Sequence, residues 1–212
     1  MKATDRVIRN VIERLEREQD VESSQRLIPV FRESQQSDGE REILIYPHEM
    51  LRKTVSPLPV ITPSDVKLIE QMILLSARHK AFGLAANQIG EDKRIIVITI
   101  GGFIHAIVNP VLTLKGKTVW SIEGCLSLPN LIVKIPRSER VIIEGLDMTG
   151  RKIALIEDGI VARALQHEVD HLNGVLIIDH VAVKDRKRLL SQYKSMNKLG
   201  DRLRKTKGGH IV

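Results

Sequence analysis

The sequence predicts an α+β fold, with mainly antiparallel sheets around one central metal-binding helix and a further helix at the C-terminus. Three observations carry that expectation. Short β-branched runs follow one another, divided by turn signals such as Gly101-Gly102, Asn109-Pro110 and Thr149-Gly150 rather than by helices. The stretch from Glu157 to Leu172 switches to helical apolar spacing and carries two histidines four residues apart. From Lys184 onward the same spacing returns beneath a dense basic charge.

Taken in order, Val7, Ile8, Val11, Ile12 and Leu15 keep helical spacing, and Ser34-Gln35-Gln36-Ser37-Asp38-Gly39 reads as a linker, so 1–41 is expected to be an accessory extension. Asp5, Glu13, Glu16, Glu18, Asp20 and Glu22 argue against an organellar transit peptide, which avoids acids. A short strand is expected over Ile43–Ile45. Thr62-Pro63-Ser64-Asp65 is a helix start with proline at the first position, and Val66, Ile69, Met72 and Ile73 carry its stripe towards His79. Strands are expected over Ile95–Ile100, Phe103–Val108, Lys117–Trp120, Leu131–Ile135, Arg140–Gly145, Lys152–Ile156 and Val175–Ile178. Between the last two, Asp158 is the expected N-cap of a helix that Asn173-Gly174 stops, with Val161, Ala164, Leu165 and Leu172 on its apolar side. These elements are expected to form one domain over 42–183, followed by a basic helix and tail over 184–212.

Composition sets bounds. The chain has 212 residues and a formal charge of +7, enough for one domain with extensions. No apolar run approaches the roughly 18 residues of a membrane span. One cysteine excludes an intrachain disulfide and, with no signal-peptide pattern, points to the reducing cytoplasm.

The chemistry concentrates in Gln166-His167-Glu168-Val169-Asp170-His171. On a helix His167 and His171 share a face and can hold one metal ion, with Glu168 beside them as a proton carrier. A metal site that does chemistry usually has three side-chain ligands and one open position. Cys125, within Glu123-Gly124-Cys125-Leu126-Ser127, is on these grounds a small buried hydrophobe, a nucleophile or the third ligand. His48 and His79 are weaker candidate ligands, and His105, His180 and His210 read as surface or packing residues.

Three segments in this order, Ala81-Phe82-Gly83-Leu84-Ala85-Ala86-Asn87-Gln88, then Glu123 to Ser127, then Gln166 to His171, resemble the three motifs of the peptide deformylases. Similarity extends from about Ile43, through Ile45-Tyr46-Pro47, Leu51-Arg52 and Pro136-Arg137, to about Asp179. The resemblance implies that Cys125, His167 and His171 bind one divalent metal, ferrous iron in the cell, with zinc, nickel or cobalt able to replace it. Ligand softness alone suits zinc at least as well. It further implies hydrolysis of the formyl group from N-terminal formylmethionine of new polypeptides, releasing formate. Metal-activated hydroxide would attack the formyl carbon, with Glu168 as general base and then acid. The Gln88 amide and the Leu126 backbone N–H would stabilise the oxyanion. Phe82, Gly83, Glu123 and Gly124 would line the substrate site.

The sequence departs from the family at Ala81, where glycine is usual, at Phe82, where an aliphatic residue is usual, and at Ile132, where many relatives carry arginine. Were a positive φ required at Ala81, it would be strained by roughly 1 kcal/mol.

Ten basic residues from Lys184 to Lys207 face only Asp185 and Asp201, a net +8, while Leu189, Leu190, Tyr193, Met196, Leu199 and Leu203 form one stripe. Such a helix is attracted to RNA phosphates, and the resemblance favours the ribosome near its exit tunnel. Nothing requires more than a monomer. A zinc peptidase would share the two histidines but complete its site downstream and have no use for the Gln88 segment. An RNA-binding protein with a dead centre would have no need of Glu168.

Overall fold

The computed structural model of the protein describes residues 41–100 and 103–207, with the side chains of all but 103 and 196–207. The expected N-terminal helix and linker, the Gly101-Gly102 turn and His210 lie outside the described residues.

Helix α1, Pro63–Arg78, starts as its sequence indicates: the Asp65 carboxylate accepts the Thr62 backbone N–H at 2.8 Å and its hydroxyl at 2.6 Å. It ends in a Schellman motif. Ala81 N–H reaches the Ser76 carbonyl at 2.9 Å, and the left-handed residue this requires is Lys80, φ 53°. Ala81 therefore does not bear the strain that a positive φ would have placed on it.

Five strands form one antiparallel sheet in chain order: β1 Gly83–Ala85, β2 Ile95–Ile100, β3 Phe103–Cys125, β4 Leu128–Leu146 and β5 Lys152–Asp158. The runs expected as separate strands at Phe103–Val108 and Lys117–Trp120 are one strand, as are those at Leu131–Ile135 and Arg140–Gly145. The turn signals between them became bulges instead. Register shifts fall at Val108/Val111 and Lys115/Thr118, where Asn109 (φ 52°) and Gly116 (φ 74°) take left-handed backbone. Asn109 is held there by a reciprocal pair of 2.8 Å hydrogen bonds to the Leu58 backbone, a contact remote in sequence.

Strand β2 is buried on both faces, so its alternate residues feed different cores. Ile95 and Val97 pack with Leu68, Ile69 and Met72 of α1. Ile96 and Ile98 pack with Leu165, Val169 and Leu172 of α2, Gly159–Leu172. A third cluster joins Leu128, Val133 and Ile135 of β4 to Ile177, Ile178 and Tyr193.

Asp158 occupies the N-cap of α2 without a capping hydrogen bond, and its carboxylate pairs with Arg140 at 3.2 Å instead. Asn173 is the C-cap and Gly174 follows at φ 71°, where a Cβ would strike the Arg52 carbonyl. Two expected strands are absent. Ile43–Ile45 is irregular, although Leu44 N–H donates to the Gln88 carbonyl at 2.7 Å and Tyr46 N–H to that of Ser127 at 2.9 Å. Val175–Ile178 leads into a 3-10 turn, Ile177–His180, because Asp179 turns back to accept Leu176 N–H at 2.8 Å. Helix α3, Val183–Lys207, follows, anchored by Leu189, Leu190 and Tyr193. No helix among the described residues is long and apolar enough to cross a membrane.

Candidate active site

The three sequence segments converge on one open groove of about 1040 Å³, lined among others by Phe82, Gly83, Gln88, Glu123, Gly124, Cys125, Leu126, His167 and Glu168. Each arrives on a different element. Cys125 ends β3 immediately before the two-residue turn Leu126-Ser127, and it pairs across that turn with Leu128. His167 and His171 come from adjacent turns of α2, their rings 5.0 Å apart in an edge-on arrangement. The potential ligand atoms of Cys125, His167 and His171 all lie within 4.8 Å of one another, and Cys125 Sγ is 3.2 Å from His171 Nε2. Among the described residues this is the cluster able to hold a metal ion. His48, which instead accepts Met50 N–H at the start of a 3-10 turn, takes no part, and neither does His79 at the end of α1.

Two features fit a divalent cation to these residues. Thiolate and imidazole donors with this spacing match a tetrahedral three-ligand site with one position left. The electrostatics also favour the ligand forms. Burial would raise the Cys125 thiol, yet His171 and His167 outweigh it and hold the thiol well below its ordinary value. His167, which burial would lower, is raised by hydrogen bonds to Cys125 and Glu123. A cluster that concentrates a thiolate and attracts positive charge is one a divalent cation satisfies.

Glu123, expected on the substrate side, lines the groove but turns its carboxylate to His167 Nδ1 at 3.0 Å and to Arg137, whose Nε and Nη2 both donate at 2.9 Å. Holding Nδ1 this way leaves His167 Nε2 to face the cluster. Burial would raise the Glu123 carboxyl, but His167 and Arg137 hold it down at about 2. The network continues. Arg137 Nη1 donates to Asp170 at 2.6 Å, and His180 Nε2 meets the same carboxylate oxygen at 2.7 Å. Burial works against the Arg137 charge, and its two carboxylate partners more than restore it.

Glu168 is buried and its Oε2 has no protein partner. Burial pushes its carboxyl up to about 7 against the pull of His167 and His171. Gly83 is the residue that makes room for it: a Cβ there would stand 2.7 Å from Glu168 Oε1 and 2.9 Å from the Val97 carbonyl.

Gln88 follows β1 in a 3-10 turn, Ala86–Ile89, and its Oε1 accepts Ala85 N–H at 2.9 Å. That bond fixes the amide, and Nε2 points to Ser127 Oγ at 3.2 Å and towards Cys125 Sγ at 3.8 Å. Gln166 performs a similar locking task on α2. Its Oε1 accepts Ser138 N–H and its Nε2 donates to the Ser138 and Ala162 carbonyls, each at 2.9 Å.

Several supporting residues escaped sequence reasoning. Arg137, Asp170 and His180 come from β4, α2 and the turn beyond it, and no spacing rule joins them. A cue existed in Arg137 alone, since an inward-facing arginine within a strand of alternating apolar residues calls for buried partners. Asn87, which donates to the His171 carbonyl at 2.5 Å, was likewise legible only as a neighbour of Gln88.

An α+β sheet carrying a Cys-His-His cluster, an adjacent buried glutamate and a fixed amide donor defines a metallo-amidohydrolase. Residues 40–187 match the family model of the polypeptide deformylases. The peptide deformylase of Thermodesulfovibrio yellowstonii is 38% identical over 159 residues, 73% of this chain and 96% of that protein. The crystal structure of a peptide deformylase from Legionella pneumophila superposes with a TM-score of 0.72 at 34% identity, covering 77% of this chain and 99% of the other. That of a Synechococcus elongatus peptide deformylase in complex with actinonin gives 0.69 at 30% identity, over 75% and 88%. The chain belongs to the peptide deformylase family.

Proposed function

We propose that this enzyme removes the formyl group from the N-terminal formylmethionine of newly made polypeptides, releasing formate. The observation that carries the reading is the meeting of Cys125, His167 and His171 within 4.8 Å beside the unpartnered Glu168 Oε2. Cys125 Sγ and one ring nitrogen from each histidine would hold a divalent metal, for which we take ferrous iron. A metal there supplies Lewis acidity and a water acidic enough to react near neutral pH.

The chain's own residues do the rest. Glu168 accepts the proton of the attacking water and returns it to the departing amine, a task suited to a carboxyl whose affinity for protons burial has raised. Gln88 Nε2, 3.8 Å from Cys125 Sγ, and the backbone N–H of Leu126, the residue after Cys125, would donate to the developing oxyanion. Glu123 orients His167, and Phe82, Gly83 and Gly124 border the path of the peptide. The reducing cytoplasm, where a thiolate ligand stays reduced, is the compartment we assign, and a monomer suffices. The basic helix α3 would bind ribosomal RNA near the exit tunnel, so that chains are met as they emerge, a reading its excess of lysine and arginine supports.

The test is formate release from formyl-Met-Ala by protein purified anaerobically with ferrous iron, alongside a chelated sample. Formate that appears with the metal and disappears with the chelator supports the reading. No formate from protein shown to carry one metal per chain would end it.

A further inference from the structure

The network behind His167 draws on β3, β4, α2 and the turn beyond it, and its outermost member is His180. This residue closes the 3-10 turn Ile177–His180 and does not line the groove. Exposure rises along the network: the side chain of Arg137 is 3% exposed and that of Glu123 9%, against 23% for Asp170 and 26% for His180. A continuous set of polar contacts therefore joins the Cys-His-His cluster to the protein surface.

Two donors meet at one oxygen. Arg137 Nη1 at 2.6 Å and His180 Nε2 at 2.7 Å both reach Asp170 Oδ2, while standing 3.4 Å from each other. A ring nitrogen this close to a carboxylate oxygen carries a proton, so His180 donates to Asp170 beside the guanidinium. Arg137 has one charge for two carboxylates. Its Nε and Nη2 hold Glu123, and Nη1 alone is left for Asp170. Without the His180 donor, Asp170 would draw the guanidinium towards itself and away from Glu123, which would then hold His167 Nδ1 less firmly.

The turn itself does not depend on the imidazole. Neighbouring Asp179 accepts Leu176 N–H at 2.8 Å and pairs with Arg52 and Arg186, while Ile177 and Ile178 are buried. The backbone at His180 is thus fixed by other groups, and its side chain acts inward.

We propose that His180 is a positioning residue for the reactive centre: its bond to Asp170 keeps Arg137 on Glu123, and Glu123 on His167 Nδ1. The inference rests on the reading of Cys125, His167 and His171 as a metal site.

The experiment uses protein loaded with cobalt(II), which absorbs visible light when bound by thiolate and imidazole, and follows the loss of that absorption to excess EDTA. His180→Leu removes the donor at similar bulk, and His180→Gln restores an N–H at about the reach of Nε2. Direct partners of metal-binding histidines contribute roughly ten- to a hundredfold to metal affinity, and His180 acts on such a partner through Asp170 and Arg137. Cobalt should therefore leave His180→Leu about three- to tenfold faster than the parent protein, with His180→Gln close to the parent. The kcat for formyl-Met-Ala should follow the same order with KM unmoved. Equal cobalt loss from all three proteins would overturn the inference. Equally fast loss from both variants would do so too, since the imidazole would then act by packing, and so would a change in KM alone. A parent protein that takes up no cobalt would overturn the metal-site reading and this inference with it.

Discussion

Glu168 shows how burial and chemistry are joined in one side chain. Its Oε2 lacks a protein partner, a state that costs free energy unless the carboxyl is protonated or meets substrate or water. Replacing it with Gln keeps the shape and removes the proton carrier. Turnover of formyl-Met-Ala by Glu168→Gln should fall by a factor of about a hundred or more, with metal content measured by mass spectrometry unchanged. Loss of metal in that variant would make Glu168 a structural support instead. Arg137 poses the converse case, a buried cation that two partly buried carboxylates need. Arg137→Met leaves Glu123 and Asp170 facing each other without their counter-ion, and breaking such a network costs roughly 3–5 kcal/mol. Thermal unfolding should show a fall in Tm on the order of 10 °C. A fall of a degree or two would mean that water replaces the guanidinium. Spacing alone made Glu168 a candidate proton carrier, because its histidine neighbours are four residues apart on one helix. Spacing could not do the same for Arg137, whose partners lie 14 and 33 residues away.

At the level of elements, α1 shows which local signals survive folding. Thr62-Pro63-Ser64-Asp65 acts as a start signal, with Asp65 closing on Thr62 and pairing with Lys93 Nζ at 2.6 Å. Burial would raise the Asp65 carboxyl, but Lys93 and Thr62 hold it below its ordinary value. A carboxyl lowered in the folded state stabilises the protein above its unfolded pKa of about 3.9 and loses that contribution as pH falls through the lower folded value. Asp65→Asn should therefore destabilise by about 1 kcal/mol near neutral pH. The difference from the parent protein in urea unfolding should shrink below about pH 4. A gap that persists in acid would assign the effect to packing rather than charge. The strands behaved differently. Asn109-Pro110 reads as a turn by composition, yet the Leu58 backbone captures the Asn109 side chain and the strand continues through a bulge. Likewise Val175–Ile178 has strand composition, but Asp179 caps the segment into a 3-10 turn. Local propensity lost in both places to a hydrogen bond that pattern reading does not supply.

The whole molecule couples a catalytic sheet to a basic helix that is partly core. Leu189, Leu190 and Tyr193 pack against the cluster around Leu51 and Ile135, and Tyr46 meets Tyr193 edge-on at 6.3 Å. A chain ending at Ser195 keeps those contacts and loses Lys198, Arg202, Arg204, Lys205 and Lys207. It should process formyl-Met-Ala like the full chain while binding ribosomes less tightly. In co-sedimentation its affinity should also vary less steeply between about 50 and about 200 mM salt. Equal binding by both chains would remove the ribosomal role from this end of α3.

Reading the residues was enough for the α+β class, for the long helices, and for His167, Glu168 and His171 as a candidate cluster, while Gln88 and Cys125 were singled out by the resemblance of their segments to the deformylase motifs. Helical period and motif spacing are local properties that survive any packing of the rest. Folding alone could merge four short strands into the β3–β4 ribbon, link Arg137 to Glu123, Asp170 and His180, and turn Ile122 and Ile132 outward beside the centre. Each of these depends on strand register and on contacts between distant residues. A register displaced by one residue would bury Ile122 and expose Glu123, with no change in composition.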